Sequence, residues 1–469
     1  MILNLMAFLS CTLFAPVRLS CALLGRIISS EKAKIFLLER REKAWIEAIA
    51  KAAEKLNSLK TSEHFPVVYW LHVASAGELE QVIPILRRLS ENHGVYFFLT
   101  YFSPSAKPFT KNCPGMLNAT SLPLEDMSAF TKAIQQLKIK RLLLVRYDFW
   151  PALIKSATRA GIPIAVLSAT LSRARSVLPT SVQFALRRHW FTFADRIFLV
   201  SESDKDILIE RGISKDKIVV CGDAKWTRAR ERAEKNRLQS LSGHLGELQK
   251  LLFSQTGAEK RKVIVFGSPH EEELSVLEQC LQAFLSREIV IVAPSEVDSK
   301  TVNAIEERLM SAGATVHRIS RFTDAELPHA ITVTHTRCVI LLDRFGSLAD
   351  AYHLADIAIV GGGFDGQLHN VLEPSAHPIV TLYGNQTHRA QEATLLLAEN
   401  AALGFAKPEN LFQFLNRWGT LDSVVEERSE MTQTIGRIQE NARRLFGSLP
   451  DTSEVVCRSL AQQDGLEAP

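Results

Sequence analysis

The stretch ADIAIVGGGFDGQLHNVLEP, residues 355–374, decides the fold class of this chain. Residues 355–360 are apolar except for one aspartate, which is typical of a buried strand in a parallel sheet. Three glycines at 361–363 follow at once, so the chain can turn sharply there and let a ligand approach its backbone. A helical pattern begins near residue 369, where free backbone amides and the positive end of the helix dipole favour an anion. The stretch therefore predicts an α/β domain with a ligand-accessible turn between a strand and a helix.

Two interpretations of this turn remain open from its residues alone. A phosphate group would fit at the start of the predicted helix, and Glu373 in its first turn could accept hydrogen bonds from two sugar hydroxyls. A glutamate at this position also pairs with the helix dipole in the absence of any ligand, and glycine runs also form ordinary strand-to-helix turns. The pattern therefore favours neither a ligand site nor a structural turn.

The same alternation of strand and helix extends through most of the chain, which has 469 residues. That length exceeds what a single hydrophobic core usually supports, so we expect two domains. A densely charged segment at 226–261 separates two groups of apolar runs, and the domain boundary is placed at its start. The pattern predicts two Rossmann-like domains, 30–227 and 228–469, each with a parallel, doubly wound sheet. The predicted strands lie at 67–73, 95–102, 141–145, 164–167, 196–200, 217–220, 262–268, 288–294, 315–320, 338–343, 357–363 and 378–383, and residues 461–469 look like a frayed tail.

Residues 1–29 differ in composition from the rest of the chain. They are mostly apolar, no lysine or arginine precedes the apolar run, and no small-residue cleavage site follows it. We interpret this segment as an uncleaved anchor that lies in or dips into a membrane, with a buried helix as the alternative. The segment after it is basic, which favours the cytoplasmic leaflet and places the globular body in the cytoplasm. Its basic residues are Lys32, Lys34, Arg40, Arg41 and Lys43.

The composition excludes several classes of protein. Charged residues make up 23% and hydrophobic residues 46% of the chain, with a formal net charge of +4, which are ordinary values for a globular protein. Aromatic residues are not interleaved with a basic stripe, so nucleic acid is not an expected partner. The seven cysteines show no close spacing of the kind found in zinc or redox motifs, which indicates reduced thiols in a cytosolic compartment.

The order of several motifs resembles that of the Kdo (3-deoxy-D-manno-octulosonic acid) transferases of lipopolysaccharide synthesis. A D-x-x-G-x-L step at 343–348 precedes the strand and glycine turn, and HN-x-LEP follows at 369–374. Further matching motifs occur in the same order, namely HVASAGE at 72–78, LPLED at 122–126, DFWP at 148–151, GDAKW at 222–226 and GSPHEEE at 267–273. The resemblance implies a glycosyltransferase B fold, association with the cytoplasmic side of the inner membrane, and inverting transfer of Kdo from CMP-Kdo to a lipid A precursor without a metal.

The resemblance also assigns roles to particular residues. Attack of a sugar hydroxyl on the anomeric carbon of CMP-Kdo needs a base, and Glu78 is the candidate, although a glutamate at a helix start can have a purely structural role. Ser75, Gly77 and Arg146 are expected on the acceptor side, and Lys225 near the domain hinge would neutralise donor charge. The expected donor-binding residues are Ser268, His270, Gly346, Leu348, Gly362, Gly363, His369, Asn370 and Glu373.

Several positions depart from the family pattern. Arg146 stands where an acid is usual, residues 294–297 read PSEV in place of P-R-H-P, and Ser347 replaces a glutamate. Thr170 occupies an arginine position, with Arg173 and Arg175 nearby, and residues 367–368 read QL in place of a glycine pair. These changes leave three explanations open: a divergent true Kdo transferase, a relative that uses another activated sugar, and a catalytically weak paralogue. The competing functions are a lipid glycosyltransferase that uses another nucleotide sugar, a sugar-nucleotide epimerase on the same fold, and a non-catalytic envelope-assembly protein.

Overall fold

The computed structural model describes residues 38–60, 65–146, 148–171, 189–254, 261–285, 288–333, 336–419 and 425–466. The predicted anchor at 1–29 and the arginines at 173 and 175 lie outside these ranges. Across the ranges described, no helix is both long and apolar enough to cross a bilayer. The chain forms two compact units: the first runs to Arg228 and resumes at Pro450, and the second is Ala229–Leu449.

The first unit is built on a parallel sheet of seven strands in the order β3-β2-β1-β4-β5-β6-β7. The strands are β1 Val67–Val73, β2 Val95–Tyr101, β3 Met116–Ser121, β4 Ile139–Val145, β5 Ile164–Ala169, β6 Arg196–Leu199 and β7 Ile218–Val220. The helices are α1 Glu42–Ser58, α2 Ala76–His93, α3 Met127–Gln136, α4 Pro151–Arg159, α5 Glu202–Glu210 and α6 Ala224–Leu238, with 3-10 segments at Pro104–Asn112 and Lys215–Lys217. The helix α6 carries the chain into the second unit.

Both faces of the first sheet are covered, which explains its nearly continuous apolar strands. Tyr69 and Leu71 of β1 pack into one cluster with residues of α2. Val68 and Trp70, which point to the opposite face, pack with α1 and α3. Apolar side chains on both faces therefore bury the sheet as predicted for a doubly wound fold.

The second unit repeats this plan with the strand order β10-β11-β9-β8-β12-β13-β14, again parallel throughout. Its strands are β8 Val263–Gly267, β9 Ile289–Ala293, β10 Thr315–Arg318, β11 Cys338–Leu341, β12 Ile357–Val360, β13 Val380–Gly384 and β14 Leu403–Phe405. The helices are α7 Gly243–Ser254, α8 Glu271–Ala283, α9 Ser299–Ser311, α10 Glu326–Val333, α11 Leu348–Ala351, α12 Leu372–Ser375, α13 Gln391–Ala398, α14 Pro408–Gly419 and α15 Val425–Ser448, with 3-10 segments at Ile319–Arg321 and Tyr352–Leu354. The predicted pair of parallel sheets is thus confirmed.

The last described helix, α16 Thr452–Asp464, belongs to the first unit and not to the second, so the predicted extent 228–469 is wrong at its end. Val456, Cys457 and Leu460 on this helix are buried in the core of the first unit. Asp464 accepts a hydrogen bond of 2.8 Å from Nε of Arg141, a residue of β4 whose side chain is 1% exposed. The predicted frayed tail is therefore helical and paired up to Asp464.

Candidate active site

In the first unit, the residues predicted for catalysis follow two neighbouring strands. The strand order changes direction between β1 and β4, and ligands of open α/β sheets bind beyond the carboxyl ends of strands at such a switch point. Ser75, Gly77 and Glu78 follow β1, whereas Arg146 and Asp148 follow β4. The topology therefore brings these residues to the same edge of the sheet.

Glu78 is the third residue of α2, next to an open position. Its Oε2 accepts a hydrogen bond of 2.6 Å from the backbone N of Ala74, and Ser75 precedes the helix without a side-chain cap. Burial raises the pKa of Glu78, while the hydrogen bond from Ala74 and the positive charge of Arg146 oppose that rise. Gly77 is exposed, and a Cβ atom there would have no neighbour within 4 Å. A carboxylate with raised proton affinity beside open space can accept a proton from a bound hydroxyl.

A buried histidine and an aspartate form a pair behind this turn. His72 is fully buried in β1, where its Nδ1 lies 2.9 Å from Oγ1 of Thr100 and its Nε2 lies 3.0 Å from Oδ2 of Asp148. Burial by itself raises the pKa of Asp148, but the hydrogen bond and charge of His72 outweigh it and lower the pKa overall. Both residues lie in motifs of the family resemblance, HVASAGE and DFWP, but neither was predicted to have a role in the site. A histidine within an apolar strand was the signal, because a buried ring needs hydrogen-bond partners.

Arg146 lies in a strained turn that fixes its direction. Its φ of 60° falls in the left-handed region, which costs free energy for a residue with a side chain. The guanidinium Nη2 lies 3.1 Å from Oε1 of Gln81 and 3.8 Å from Oδ2 of Asp223. Asp223 also accepts a hydrogen bond of 3.0 Å from the backbone N of Lys225, which lies in the first turn of α6. The predicted acceptor-side arginine is thus held by groups that the sequence analysis did not name.

In the second unit the strand order changes direction between β8 and β12, and most of the predicted donor-binding residues follow these two strands, whereas Gly346 and Leu348 follow β11. Ser268, after β8, has a φ of 49°, and a Cβ atom on Gly361, after β12, would lie 2.0 Å from its carbonyl oxygen. Gly362 has a φ of 80°, and a Cβ atom there would lie 2.4 Å from the carbonyl oxygen of Gln367. The two turns are packed backbone against backbone, which only glycine permits at these positions.

Three side chains form a hydrogen-bonded chain across the two turns. The Nδ1 of His270 lies 2.8 Å from Oδ2 of Asp365, and its Nε2 lies 3.0 Å from Nε2 of His369. Burial, together with the charge of His270, lowers the pKa of His369. Both ring nitrogens of His270 are therefore engaged, and a ligand that bonds to Nε2 has to displace the ring of His369. The structure thus joins two residues predicted as separate donor contacts and adds Asp365, which the sequence analysis missed.

The helix predicted to begin near residue 369 begins at Leu372 and is a single turn. It spans only Leu372–Ser375, because β13 begins at Val380 and leaves no room for further turns. His369 and Asn370 lie in the preceding turn, where Oδ1 of Asn370 accepts a hydrogen bond of 3.0 Å from the backbone N of Leu372. A helix this short has little dipole, so the helix itself adds little to anion binding, and the phosphate position at this turn stays a prediction.

The turn before α11 is connected to Glu373 through one arginine. Gly346 has a φ of 91°, and its carbonyl oxygen accepts a hydrogen bond of 3.1 Å from Nη2 of Arg232. The same guanidinium lies 3.2 Å from Oδ1 of Asp350 through Nε, and 3.8 Å from Oε1 of Glu373 through Nη1. Leu348 packs against the core of the unit. Arg232, which the sequence analysis did not single out, therefore joins two predicted donor-binding elements.

Comparison with known proteins agrees with the motifs. Residues 43–228 match the family described as "3-Deoxy-D-manno-octulosonic-acid transferase (kdotransferase)". A 3-deoxy-D-manno-octulosonic acid transferase of Aquifex aeolicus is 25% identical over 384 residues, 81% of this chain and 90% of that protein. One from Chlamydia muridarum is 24% identical over 400 residues, 84% of this chain and 86% of that protein. Residues 43–228 of the chain belong to the Kdo transferase family.

Several solved structures share the fold of this chain. A UDP-GlcNAc 2-epimerase from Neisseria meningitidis, solved with UDP-GlcNAc, matches 84% of the chain and 99% of its own with a TM-score of 0.56 and 14% identity. A glycosyltransferase from Rickettsia africae matches 86% of the chain and 98% of its own with a TM-score of 0.51 and 12% identity. These similarities show a glycosyltransferase-B-like fold. Among the residues of this chain that the structure describes, no group of three or more His, Cys, Asp or Glu side chains is arranged to hold a metal ion.

The glycine turn of the second unit is packed so closely that it has no space for a side chain at Gly363. A Cβ atom on Gly363 would lie 2.5 Å from the backbone N and O of Gly384 in β13, so a substitution must move the backbone. We expect Gly363→Ala to lower the free energy of unfolding of the second unit by about 1–3 kcal/mol, measured by urea unfolding. Gly436→Ala in α15, where a Cβ atom has no neighbour within 4 Å, is the control and should leave stability unchanged or raise it. Equal stability of the two variants would contradict the packing argument.

Proposed function

We propose that this chain is an inverting glycosyltransferase that transfers Kdo from CMP-Kdo to a lipid A precursor at the cytoplasmic side of the inner membrane. The match of residues 43–228 to the Kdo transferase family, and the similarity to a Kdo transferase over most of the chain, support glycosyl transfer as the reaction. The observation that carries the proposal is the half-buried Glu78 with its raised pKa, which lies at the switch point of the first sheet beside the open position at Gly77. The first unit would bind the acceptor and the second the donor, with residues 1–29 as the membrane anchor.

In the proposed reaction, Glu78 acts as general base. It accepts the proton of the acceptor hydroxyl as that oxygen attacks the anomeric carbon of the donor sugar. The bond between this carbon and the phosphate oxygen breaks, and CMP leaves with the bonding electrons. Because CMP leaves as a stabilised phosphate monoester, no general acid is needed, and a single displacement inverts the anomeric configuration. Arg146, with its fixed guanidinium, contributes positive charge that favours the ionised form of Glu78 and partly opposes the rise of its pKa.

Donor binding is assigned to the second unit. His369 supplies a ring N–H group for the phosphate or the sugar carboxylate, and His270 supplies a second one when the ligand displaces the ring of His369 from its Nε2. Glu373 supplies acceptors for hydroxyl groups. Lys225 keeps the role that the family resemblance implies, which is to neutralise charge on the donor. Ser268, Gly346, Leu348, Gly362, Gly363 and Asn370 form the turns around these side chains and would contact the donor through their backbones.

The test is a transfer assay with detergent-solubilised full-length protein, lipid A precursor and CMP-Kdo generated in the reaction. Mass spectrometry of the lipid should show an increment of one or more Kdo residues that depends on the donor. If folded protein gives no increment, the donor assignment fails, and the same assay with a panel of UDP-linked and other nucleotide sugars identifies the replacement. Epimerised nucleotide sugar without lipid modification would instead support the epimerase alternative.

A second prediction concerns Arg232. We expect Arg232→Met to raise the Kd for CMP, measured by calorimetry, about ten- to a hundredfold, because the Gly346 turn and Glu373 lose a shared charge-assisted partner. Arg232→Lys should recover part of the affinity. Arg237→Met, on the same helix and with a side chain 71% exposed, is the control and should bind CMP as the wild type does. Equal affinities for all three variants would exclude the organising role of Arg232.

A further inference from the structure

One aromatic side chain of the second unit is exposed where the sheet presents its ligand-facing edge. Phe345 follows β11 in the turn between this strand and α11 and is 73% exposed, the highest value among the exposed large apolar side chains of the described residues. It lies between Arg344 and Gly346, which are also exposed. Such exposure leaves most of the ring in water, so packing does not explain this phenylalanine.

The turn that carries Phe345 is anchored on both sides. Before it, both carboxylate oxygens of Asp343 accept hydrogen bonds from Ser320, one from the backbone N at 3.1 Å and one from the hydroxyl. After it, Arg232 donates to the carbonyl oxygen of Gly346 at 3.1 Å. The left-handed φ of 91° at Gly346 sets the direction of the chain at the tip. The exposed ring is therefore presented by a fixed backbone, which lowers the entropy lost when a ligand packs against it.

The position of the turn fits one end of an elongated ligand. In the strand order β11-β9-β8-β12, the carboxyl end of β11 lies two steps from that of β8, which His270 follows, and three steps from that of β12, where the glycine turn and His369 lie. At about 4.8 Å a step, three steps amount to roughly 14 Å along the edge. A nucleotide sugar has its base at one end, its phosphate in the middle and its sugar at the other. A phosphate or sugar near His270 and His369 therefore leaves the base on the side of β11.

We infer that Phe345 is a stacking platform for the base of the donor nucleotide. This inference rests on the proposed function, because it takes the second unit as the donor side. An aromatic ring offers a flat apolar face to any base, while the backbone groups of Gly346 and Ser347 next to it can read the edge of the base. Phe345 thus supplies affinity for a planar heterocycle, and the neighbouring turn supplies selectivity between bases.

The experiment measures the Kd of CMP by calorimetry for full-length wild type, Phe345→Ala and Phe345→Tyr. We expect Phe345→Ala to raise the Kd about ten- to a hundredfold and Phe345→Tyr to remain within about threefold of wild type, because tyrosine keeps the ring. Affinity for ribose 5-phosphate, which lacks a base, should not change in Phe345→Ala. Phe253→Ala is the matched control, since this ring is 62% exposed in the same unit, near the amino ends of β8 and β12. It should bind CMP normally.

The outcomes separate this inference from the proposed function. Unchanged CMP affinity in Phe345→Ala overturns the stacking role. If Phe345→Ala at the same time binds less well to vesicles of phosphatidylethanolamine and phosphatidylglycerol, the ring is a membrane contact instead. If the wild type binds UMP or another nucleotide in place of CMP, CMP-Kdo is not the donor. A loss of that affinity in Phe345→Ala would still support stacking of the base on Phe345. Wild type that binds no nucleotide overturns both proposals.

Discussion

Glu78→Gln should lower the rate of Kdo transfer by about 10²- to 10⁴-fold while the protein remains folded. Glutamine keeps an oxygen that can accept the hydrogen bond from the backbone N of Ala74, so the start of α2 is preserved. It cannot take a proton from the attacking hydroxyl, so only the chemical step is lost. The measurement is the initial rate of Kdo addition to the lipid by mass spectrometry.

The raised pKa of Glu78 predicts that the same variant loses activity without losing stability. Burial raises this pKa above its ordinary value of 4.5, so the folded protein binds the proton more tightly than the unfolded chain. Stability therefore falls as pH rises through the window between the unfolded and folded pKa values. Glutamine removes this cost, and we expect Glu78→Gln to unfold at neutral pH at or above the wild-type temperature. The rate of the wild type should decline as pH falls through a pKa above 4.5, because the base must be ionised.

The control for both measurements is Glu91→Gln, an exposed glutamate near the end of the same helix. Its transfer rate and unfolding temperature should match those of the wild type. Full activity of Glu78→Gln would assign this carboxylate to the helix start alone. A large loss of stability in Glu78→Gln would show that the carboxylate has a structural role that the hydrogen bond to Ala74 does not account for.

Asp464→Asn should lower the free energy of unfolding of the first unit by about 3–5 kcal/mol. The carboxylate of Asp464 accepts hydrogen bonds from Nε and Nη2 of Arg141 and from the hydroxyl of Tyr69, and its side chain is 5% exposed. Asparagine offers one oxygen and no charge, so Arg141 remains buried with Asp195 as its remaining carboxylate partner. Arg141 is then a buried charge with one carboxylate partner in place of two. The loss of stability therefore exceeds that from removal of a surface ion pair by several-fold.

Thermal unfolding of full-length protein measures this effect, with an expected decrease of the first transition by about 6–15 °C. Glu454→Gln provides the matched control on the same helix, because its partner Arg458 is 76% exposed and their pair contributes little. An unfolding temperature of Asp464→Asn equal to that of Glu454→Gln would show that α16 is held by its apolar residues alone.

The sequence predicted the two sheets because their strands are local apolar runs bounded by glycine and polar residues. It also placed Glu78, His270 and the glycine turn at strand ends, where the topology brings them to one edge of each sheet. Contacts between distant residues were not predicted. The pairing of His72 with Asp148 spans 76 residues and the contact of Arg141 with Asp464 spans 323, and nothing in either local sequence identifies its partner.

The return of α16 to the first unit was missed for a related reason. An amphipathic helix shows which of its faces is apolar but not which domain covers that face. One signal was available: Arg141 lies in an apolar strand, where a buried guanidinium requires a carboxylate from elsewhere in the chain. The helix near Asn370 begins at Leu372 and not at residue 369, because helix boundaries are predicted from sequence less precisely than the helices themselves. The membrane anchor, the donor and the catalytic role of Glu78 stay predictions.

The location of α16 also sets an order of events during synthesis. Residues 229–449 form the second unit from one continuous stretch, which can fold as soon as it leaves the ribosome. The first unit is made earlier but waits for residues 450–466, and until then Arg141 and the apolar patch opposite Val456 and Leu460 stay uncovered. A fragment cut at residue 228, where the family match ends, would keep this nascent state permanently, with a charged residue and an apolar surface exposed to aggregation.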